Sequence, residues 1–352
     1  MPDYLRGVPR HRWVLASFVM NYRENSERAE KAQLSPRAQF ASESKGRANP
    51  EPEDGIRTCW QRDQDRIVHS KAFRRLGHKT QVFLAPEGDH YRVRLTHTLE
   101  VNQVARTIAR ALRLNADLVE AICLGHDLGH TPFGHLGEEI VAEFLPGFKH
   151  NLQSVRVVDV LEKLNLTWEV RDGIANHTWS MRMPTTLEGQ IARYADRIAY
   201  LNHDIDDAER AGILAENELP ASTLSVLGES HRSRISTMVK DLVERSKDLE
   251  EIGMSPAVFE AMIETRDFLF ERVYLGRVTP ATKEAVRGIV TSLLEHYAIN
   301  PIPAGTDSIR DTPDENPRVS AVDYVAGMTD RFALRAFEII AGSPAPSVVA
   351  VI

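Results

Sequence analysis

The chain has 352 residues, a formal net charge of −7 at pH 7 and a pI near 6.0. This acidic balance argues against a general nucleic-acid coat, although a local basic patch could still bind an anionic ligand. Cys59 and Cys123 lie far apart and without CxxC spacing, so neither a disulfide framework nor a thiolate metal site is indicated. No apolar run reaches the length of a membrane span. These features predict a cytoplasmic protein of one or two domains with no membrane partner.

The N-terminal part of the chain is polar, and residues 21–55 contain three prolines and two glycines. This composition predicts an extended or poorly ordered arm, with regular structure beginning near Arg57. We therefore divide the chain into a partly flexible N-terminal arm at 1–55, a core at 56–215, and a C-terminal helical region at 216–352 that packs on the core.

Most of the chain has helical periodicity, and few segments alternate as strands do. The exceptions are residues 79–84 and 90–94, which could pair as a hairpin across 86–89. The predicted fold class is all-α, mainly helical, with at most this short β-hairpin.

Three helices carry the chemically interesting side chains, and their predicted spans are 96–114, 117–126 and 186–207. The apolar stripe of the first helix, extended back by four residues, reaches His97, and that of the second extends to His126. Both imidazoles should therefore face the interior. On one side of the third helix, steps of three and four place small and polar residues together: Ala192, Asp196, Ala199, Tyr200, His203 and Asp204.

The C-terminal region contains further amphipathic segments at 256–274, 281–297 and 322–340. They predict a helical layer that supports the site. Residues 301–317 include four prolines and are predicted to be an exposed loop.

The densest motif lies at residues 126–138, which read HDLGHTPFGHLGE. It combines three histidines with an aspartate and a glutamate. Glycine lets the backbone approach a ligand closely, and Pro132 ends or kinks a helix. The imidazoles are therefore expected to project from a turn into a cavity.

Imidazole and carboxylate donors suit Mn²⁺, Fe²⁺, Co²⁺, Ni²⁺ or Zn²⁺, and a site without thiolates does not select zinc strongly. Mg²⁺ is a further candidate. For one divalent ion we predict four ligands: His97, His126, Asp127 and Asp196. The alternative is that His97 is a satisfied core histidine and Asp196 an ordinary ion-pair partner.

These residues resemble the metal motif of HD domains, in which a histidine, a His-Asp pair and an aspartate follow one another. Longer strings are similar to the bacterial deoxyguanosinetriphosphate triphosphohydrolase-like proteins, and the similarity covers roughly residues 35–342. It is carried by RDQDRIVHSKAFRRLGHKTQVF, GDHYRVRLTHTLE, LGHDLGHTPFGHLGE and YADRIAYLNHDIDD, at 62–83, 88–100, 124–138 and 194–207. The resemblance implies an HD metal-dependent phosphohydrolase core with a C-terminal helical layer.

The resemblance also implies a reaction, the hydrolysis of a deoxynucleoside triphosphate (dNTP), such as dGTP, to deoxynucleoside and inorganic triphosphate. Water attacks the α-phosphorus and the 5′ oxygen leaves. We predict that protonated His135 donates a proton to the leaving oxygen and that Glu138 orients it. His130 would bind phosphate or assist. Relatives also suggest a homo-oligomer and a possible second, activating dNTP.

For the nucleotide, the matching residues are Arg94 on phosphate, Tyr200 and Asp204 on the deoxyribose, and Gln81 on a base edge. A tyrosine close below the sugar could exclude a 2′-hydroxyl group. Gln81 could equally bond to backbone in a turn. Between 57 and 94, nine Lys/Arg face four Asp/Glu, and this excess favours a triphosphate ligand, unless it is only a solvated helix face.

One departure from the family pattern concerns Leu152, which follows His150 and Asn151 where the family commonly has a glutamate. A carboxylate near the site is then lost, which could weaken or alter activity. Two alternative functions remain open. One is an HD phosphohydrolase of nucleoside monophosphates or cyclic nucleotides, and the other is a nucleotide sensor or single-stranded DNA-binding protein with weak turnover.

Overall fold

The computed structural model describes residues 21–81, 92–210, 212–215, 218–248, 250–275, 279–300 and 316–348. Within these residues the regular structure is helical and no strand forms, so the predicted all-α fold class is confirmed. An isolated antiparallel bridge joins Thr80 to Val93. It lies at the base of the predicted hairpin, and the rest of that hairpin lies outside the described residues.

The α-helices follow one another in this order: α1 Tyr22–Gln33, α2 Cys59–His69, α3 Lys71–Arg75, α4 Arg94–Ala111, α5 Ala116–Gly125, α6 Gly134–Phe144, α7 His150–Arg156, α8 Trp168–Asn176, α9 Leu187–Arg210, α10 His231–Ser246, α11 Pro256–Leu269, α12 Pro280–Ile299, α13 Pro317–Ala326 and α14 Asp330–Ala341. Short 3-10 or π turns lie at Ala41–Glu43, Leu76–His78, Val157–Leu161, Thr223–Leu227 and Phe270–Leu275. No helix among the described residues is long and apolar enough to cross a membrane.

The N-terminal arm corrects one prediction, because α1 is helical where an extended segment was expected. The side chain of Asn21 caps this helix by accepting a hydrogen bond from the backbone N–H of Glu24. Arg23 and Glu27 form an i,i+4 pair at 2.7 Å within it. The prolines that suggested an irregular arm all follow the helix. The division at 55 and 215 stays a prediction.

The three helices predicted to carry the site are present, and their ends differ by a few residues. α4 begins at Arg94, α5 ends at Gly125, and α9 extends to Arg210. They pack against one another, and both His97 and His126 are buried between them as predicted.

The C-terminal segments are helical, with one break. The predicted segment 322–340 is two helices, α13 and α14, separated between Ala326 and Asp330. The side chain of Thr329 accepts a hydrogen bond from the backbone N–H of Phe332 and so starts a new helix. The predicted loop at 301–317 lies mostly outside the described residues.

Buried apolar side chains form two clusters. The larger cluster is built on α2, α4, α5, α8, α9, α10 and α11. In the smaller cluster Phe133 and two residues of α6, Ile140 and Val141, pack with α12, α13 and α14. The histidine turn, residues 126–133, therefore leaves the larger cluster and enters the smaller one.

Gly129 is a point of close backbone approach in this turn. A Cβ atom there would lie 2.2 Å from the backbone nitrogen of Ser154 and 2.7 Å from the carbonyl oxygen of His150. Both contacts are with backbone, so no side chain can move aside. We expect Gly129→Ala to lower the free energy of unfolding by about 1–3 kcal/mol, visible as a lower thermal midpoint.

The control for that variant is Gly55→Ala, because a Cβ at Gly55 has no heavy atom within 4 Å. Its midpoint should match that of the unmodified protein. Equal midpoints for the two variants would contradict the close approach at Gly129.

Candidate active site and metal centre

The four predicted metal ligands come together between α4, α5 and α9. The possible ligand atoms of His97, His126 and Asp127 lie within 4.8 Å of one another. His97 Nε2 is 3.1 Å from Asp196 Oδ1, and His126 Nε2 is 3.9 Å from the same oxygen. The packing of the three helices, which occurs through their apolar faces, brings these residues together although they lie far apart in the sequence.

The donor set fits a divalent metal ion. His126 Nδ1 lies 2.6 Å from the carbonyl oxygen of Cys123, so Nδ1–H donates and Nε2 keeps its lone pair. Nε2 is buried without a hydrogen-bond partner among the described residues, as is Nδ1 of His97. A buried lone pair facing two carboxylates is costly unless a cation or a proton donor is present.

Both carboxylates are held in their ionised form. Burial alone would raise the pKa of Asp127, but Arg94 and His126 outweigh it and hold that pKa well below its usual range. Burial is likewise outweighed at Asp196, where His97 and His126 lower the pKa of the carboxyl group. The site therefore offers two anionic carboxylate oxygens beside two imidazole nitrogens. Divalent cations of hard or borderline character prefer such ligands.

Arg94, the predicted phosphate ligand, begins α4 at the edge of the metal set. Its Nη1 donates to Asp127 Oδ2 at 2.8 Å. Nε and Nη2 are buried and have no hydrogen-bond partner among the described residues. The guanidinium group therefore has N–H donors available for a ligand next to the predicted metal ligands.

The basic segment 57–94 does not form a free patch for triphosphate as a whole. Seven of its cations pair with carboxylates or backbone carbonyls of the protein: Arg57, Arg62, Arg66, Arg75, Lys79, Arg92 and Arg94. Of these, Arg94 is the one bonded to a predicted metal ligand. Most of these cations are therefore bonded within the protein, and the local charge excess supports an anionic substrate less than the sequence suggested.

A continuous series of imidazole rings leads from the predicted metal set to the exposed His135. Neighbouring ring centroids are 4.7 to 5.7 Å apart, in the order His97, His126, His177, His150, His130 and His135. His126 and His130 belong to the HDLGHTPFGH motif, and the series connects them through His177 and His150, which lie outside it.

Glu138 lies at the far end of this series and contacts three histidines. Its Oε1 accepts hydrogen bonds from the backbone nitrogen and Nδ1 of His150, both at 2.8 Å. Oε2 is 3.5 Å from Nδ1 of His135 and 3.8 Å from Nε2 of His130. The predicted partner His135 is therefore present, but the shorter bonds go to His150.

The pairing of Glu138 with His150 sets the charges of both groups. Burial would raise the pKa of Glu138, but His150 and His135 outweigh it and lower it. Burial would lower the pKa of His150, and Glu138 outweighs it and raises it. His130 is fully buried, and burial together with Arg94 lowers its pKa well below the usual value. An ionised Glu138–His150 pair thus lies beside a neutral His130.

His135 itself is the most accessible member, with 75% of its side chain exposed. It lies in the first turn of α6, and its ring contacts the buried His130. An exposed imidazole at the end of a buried series is well placed to exchange protons with both substrate and solvent.

Two histidines of the site were missed by the sequence analysis, His150 and His177. His177 follows α8, and its Nδ1 lies 2.8 Å from the carbonyl oxygen of Ile174. Its Nε2 is 3.3 Å from Nε2 of His150. Burial and His126 lower the pKa of His177 to about 3, so it is neutral. With Asp127 these two residues form a second possible metal grouping.

The predicted sugar and base contacts are placed as follows. Tyr200 and Asp204 lie one and two turns after Asp196 on the same side of α9. The Arg197 guanidinium is 5.7 Å from the centre of the Tyr200 ring. Burial and Asp207 raise the pKa of Asp204 well above its usual range, which favours a protonated carboxyl group.

Gln81 and Leu152 are at the margins of the site. The carbonyl oxygen of Gln81 lies 3.4 Å from the Cβ that Gly134 lacks, at the start of α6. Leu152 is 41% exposed on α7, whereas its neighbour Asn151 is fully buried. A glutamate at position 152 would therefore be in contact with solvent and not buried with the metal ligands.

Two family models match this architecture. The HD domain matches residues 94–201, which begin at Arg94 and include all four predicted ligands, and the phosphohydrolase-associated domain matches residues 252–339. Fold and site together define a metal-dependent phosphohydrolase of the HD-domain class.

Full-length relatives give the family. A deoxyguanosinetriphosphate triphosphohydrolase-like protein of Caldanaerobacter subterraneus subsp. tengcongensis is 52% identical over 331 residues, which cover 92% of this chain and 97% of that protein. Proteins of the same name from Clostridium perfringens and Desulfatibacillum aliphaticivorans are each 47% identical, over 90% and 91% of this chain and 97% of each relative. The chain belongs to the bacterial deoxyguanosinetriphosphate triphosphohydrolase-like family, as the sequence resemblance predicted.

Proposed function

We propose that the protein hydrolyses deoxynucleoside triphosphates, dGTP among them, to deoxynucleoside and inorganic triphosphate. The observation that carries this proposal is the continuity of the site. A buried set of two histidines and two carboxylates is joined by a series of neighbouring imidazole rings to the Glu138 and His135 pair. One end suits the binding of a phosphoryl group and the other suits proton transfer to a leaving group.

His97, His126, Asp127 and Asp196 would hold the divalent ion. When bound, such an ion polarises a phosphoryl oxygen and stabilises the charge that develops there. Mn²⁺ is the first ion to test, with Mg²⁺, Co²⁺, Ni²⁺ and Fe²⁺ as alternatives.

Arg94 and His130 would bind and orient the phosphates. The Nε and Nη2 donors of Arg94 have no other partner among the described residues. A phosphate oxygen can therefore accept hydrogen bonds from them while Nη1 keeps its bond to Asp127. His130 is neutral and buried, and in the tautomer that carries its proton on Nε2 it can donate a hydrogen bond to a second phosphate oxygen.

The bond changes balance with one water molecule. Its oxygen bonds to the α-phosphorus while the bond from that phosphorus to O5′ breaks. Protonated His135 gives its proton to O5′, and a proton of the attacking water is lost to solvent. Glu138 stabilises the charged imidazole of His135 before the transfer, which is the role of an orienting carboxylate.

Tyr200 and Asp204 would contact the sugar from α9. A tyrosine ring against the deoxyribose leaves no room for a 2′-hydroxyl group, and the protonated Asp204 can donate a hydrogen bond to a sugar oxygen. Gln81 would read the base edge. These are the roles that the family resemblance implied for the three residues.

The proposal is tested by product analysis. Purified protein is incubated with Mn²⁺ and each dNTP, alone and in mixture, and the products are separated by ion-exchange chromatography. We expect deoxynucleoside and intact triphosphate. Turnover that appears only in mixtures would support a second, activating dNTP, and sedimentation velocity on the same samples tests the predicted homo-oligomer.

Other outcomes would contradict the proposal. Release of pyrophosphate or monophosphate, or hydrolysis only of nucleoside monophosphates or cyclic nucleotides, would assign a different phosphohydrolase reaction. Metal-loaded protein that turns over no nucleotide, yet binds single-stranded DNA with an affinity that falls with salt, would favour a sensor.

A further inference from the structure

Phe133 adopts a backbone conformation that a bulky residue rarely adopts. Its φ of 61° and ψ of 28° lie in the left-handed region, immediately before α6 begins. For an aromatic residue this conformation is a true outlier and persists only where the surroundings hold it. The residue that follows it opens the helix that carries His135 and Glu138, so the conformation of Phe133 sets the direction of that helix.

Asp330 holds this conformation from outside the HD domain. Its Oδ1 accepts the backbone N–H of Phe133 at 3.1 Å. Its Oδ2 accepts the backbone N–H of Thr80 at 3.0 Å and also the Thr80 hydroxyl group. Asp330 is buried, 8% exposed, and all of these bonds link it to chain segments far away in sequence. A buried carboxylate that accepts three donors is strongly fixed in position.

Lys79 adds a second link beside the first. It is 2% exposed, and its ammonium group donates to the carbonyl oxygens of His130 and Ala326. Lys79, Thr80 and Asp330 together form what we call the turn clamp. It ties the end of the histidine turn to the segment that joins α13 and α14.

The clamp lies where the two halves of the site meet. The metal ligands are carried by α4, α5 and α9, in the larger apolar cluster. His135 and Glu138 are carried by α6, which packs in the smaller cluster. The relative position of the two halves therefore depends on contacts between the clusters, and the clamp supplies buried polar contacts from Asp330 and Lys79 to the histidine turn.

We propose that Asp330 is a positioning residue, which fixes the left-handed turn at Phe133 and thereby holds His135 and Glu138 at the correct distance from the metal set. This inference rests on the proposed function. It assigns a part in the reaction to the phosphohydrolase-associated domain, which contains Asp330.

The test compares Asp330→Ala with the unmodified, metal-loaded protein. We expect metal content and KM for dGTP to change little and kcat to fall about 10- to 100-fold, because a displacement of about 1 Å at the reacting groups is sufficient for such a loss. Hydrogen exchange of a peptide covering 131–138 should become faster, while peptides containing His97 and Asp196 stay protected. Asp330→Asn keeps an acceptor for the N–H of Phe133 and should recover part of kcat.

The matched control is Ala336→Gly, on the same helix and in the same apolar cluster, because a methyl side chain cannot form a hydrogen bond to the turn. This variant should lower the thermal midpoint without a selective increase in the rate of hydrogen exchange at 131–138. Asp330 has no positioning role if exchange there is unchanged in Asp330→Ala. The same conclusion follows if kcat of Asp330→Ala falls only in proportion to the metal that the variant loses. It also follows if Ala336→Gly has the same thermal midpoint as Asp330→Ala and an equal loss of kcat.

The two proposals fail separately. If the unmodified protein releases no triphosphate, the proposed function is wrong, and the exchange experiment still decides whether Asp330 holds the turn. If Asp330→Ala does not fold, the same exchange and kinetic comparisons are made with Asp330→Asn, whose amide nitrogen cannot accept the two hydrogen bonds from Thr80 and so weakens the clamp. Unchanged exchange and unchanged kcat in that variant would overturn the positioning role.

Discussion

Asp127→Ala is expected to abolish both metal retention and hydrolysis. Asp127 belongs to two of the possible metal groupings, one with His97 and His126 and one with His150 and His177. Loss of its carboxylate removes the anionic oxygen that both groupings share. A bound metal contributes several kcal/mol to a phosphoryl-transfer transition state, so we expect turnover to fall by about 1,000-fold or more.

The same substitution removes the partner of a buried cation. Arg94 donates to Asp127 Oδ2, and both side chains are at most 4% exposed. Breaking a buried pair from one side costs about 3–5 kcal/mol, so Asp127→Ala should also lower the thermal midpoint. Loss of activity could then reflect unfolding, and a second variant is needed to separate the two effects.

Asp127→Asn separates them, because it keeps the volume of the side chain and an oxygen acceptor for Arg94 while removing the negative charge. We expect folded protein with little metal and little turnover. Asp159→Asn is the control, since Asp159 pairs with Arg171 in a partly exposed position and belongs to none of the possible metal groupings of the described residues. Metal is measured by atomic emission on protein purified without chelator. Full metal content and normal kcat in Asp127→Asn would remove Asp127 from the metal set.

The part of this site that the sequence could predict is the part that helical periodicity controls. His97 and His126 lie on extensions of apolar stripes, and Asp196 lies on the polar side of a long helix. Each helix therefore fixes the direction of its own ligand before the helices pack. The packing of α4, α5 and α9 then brings the ligands together without any further sequence signal.

Most of the remaining residues are held by contacts that no local pattern encodes. His150 begins α7, where no apolar stripe precedes it. His177 is different, because it follows the buried Val170 and Ile174 of α8 by seven and three residues, which is the kind of signal that identified His126. Asp330 reaches Phe133 and Thr80 across the boundary between two apolar clusters. The helix α1 was missed for a different reason, because its polar composition resembles that of an irregular arm, and its cap and ion pair are what stabilise it.

His135→Ala is expected to keep the metal and lose turnover. A general acid contributes about 10²- to 10⁴-fold to a reaction of this kind, so kcat should fall by about that factor. The side chain is 75% exposed, so its removal should cost little stability and the thermal midpoint should stay close to that of the unmodified protein. The measurements are kcat with dGTP, metal content and the thermal midpoint on one preparation.

Glu138→Gln provides the comparison that identifies the role of His135. Glu138 accepts two bonds from His150, which is largely buried, as well as pairing with exposed His135. Its neutralisation should therefore lower both kcat and the thermal midpoint, whereas His135→Ala should lower kcat alone. Because His130, His135 and Glu138 also form a possible metal grouping, a parallel loss of metal in His135→Ala would make His135 a ligand instead of the proton donor.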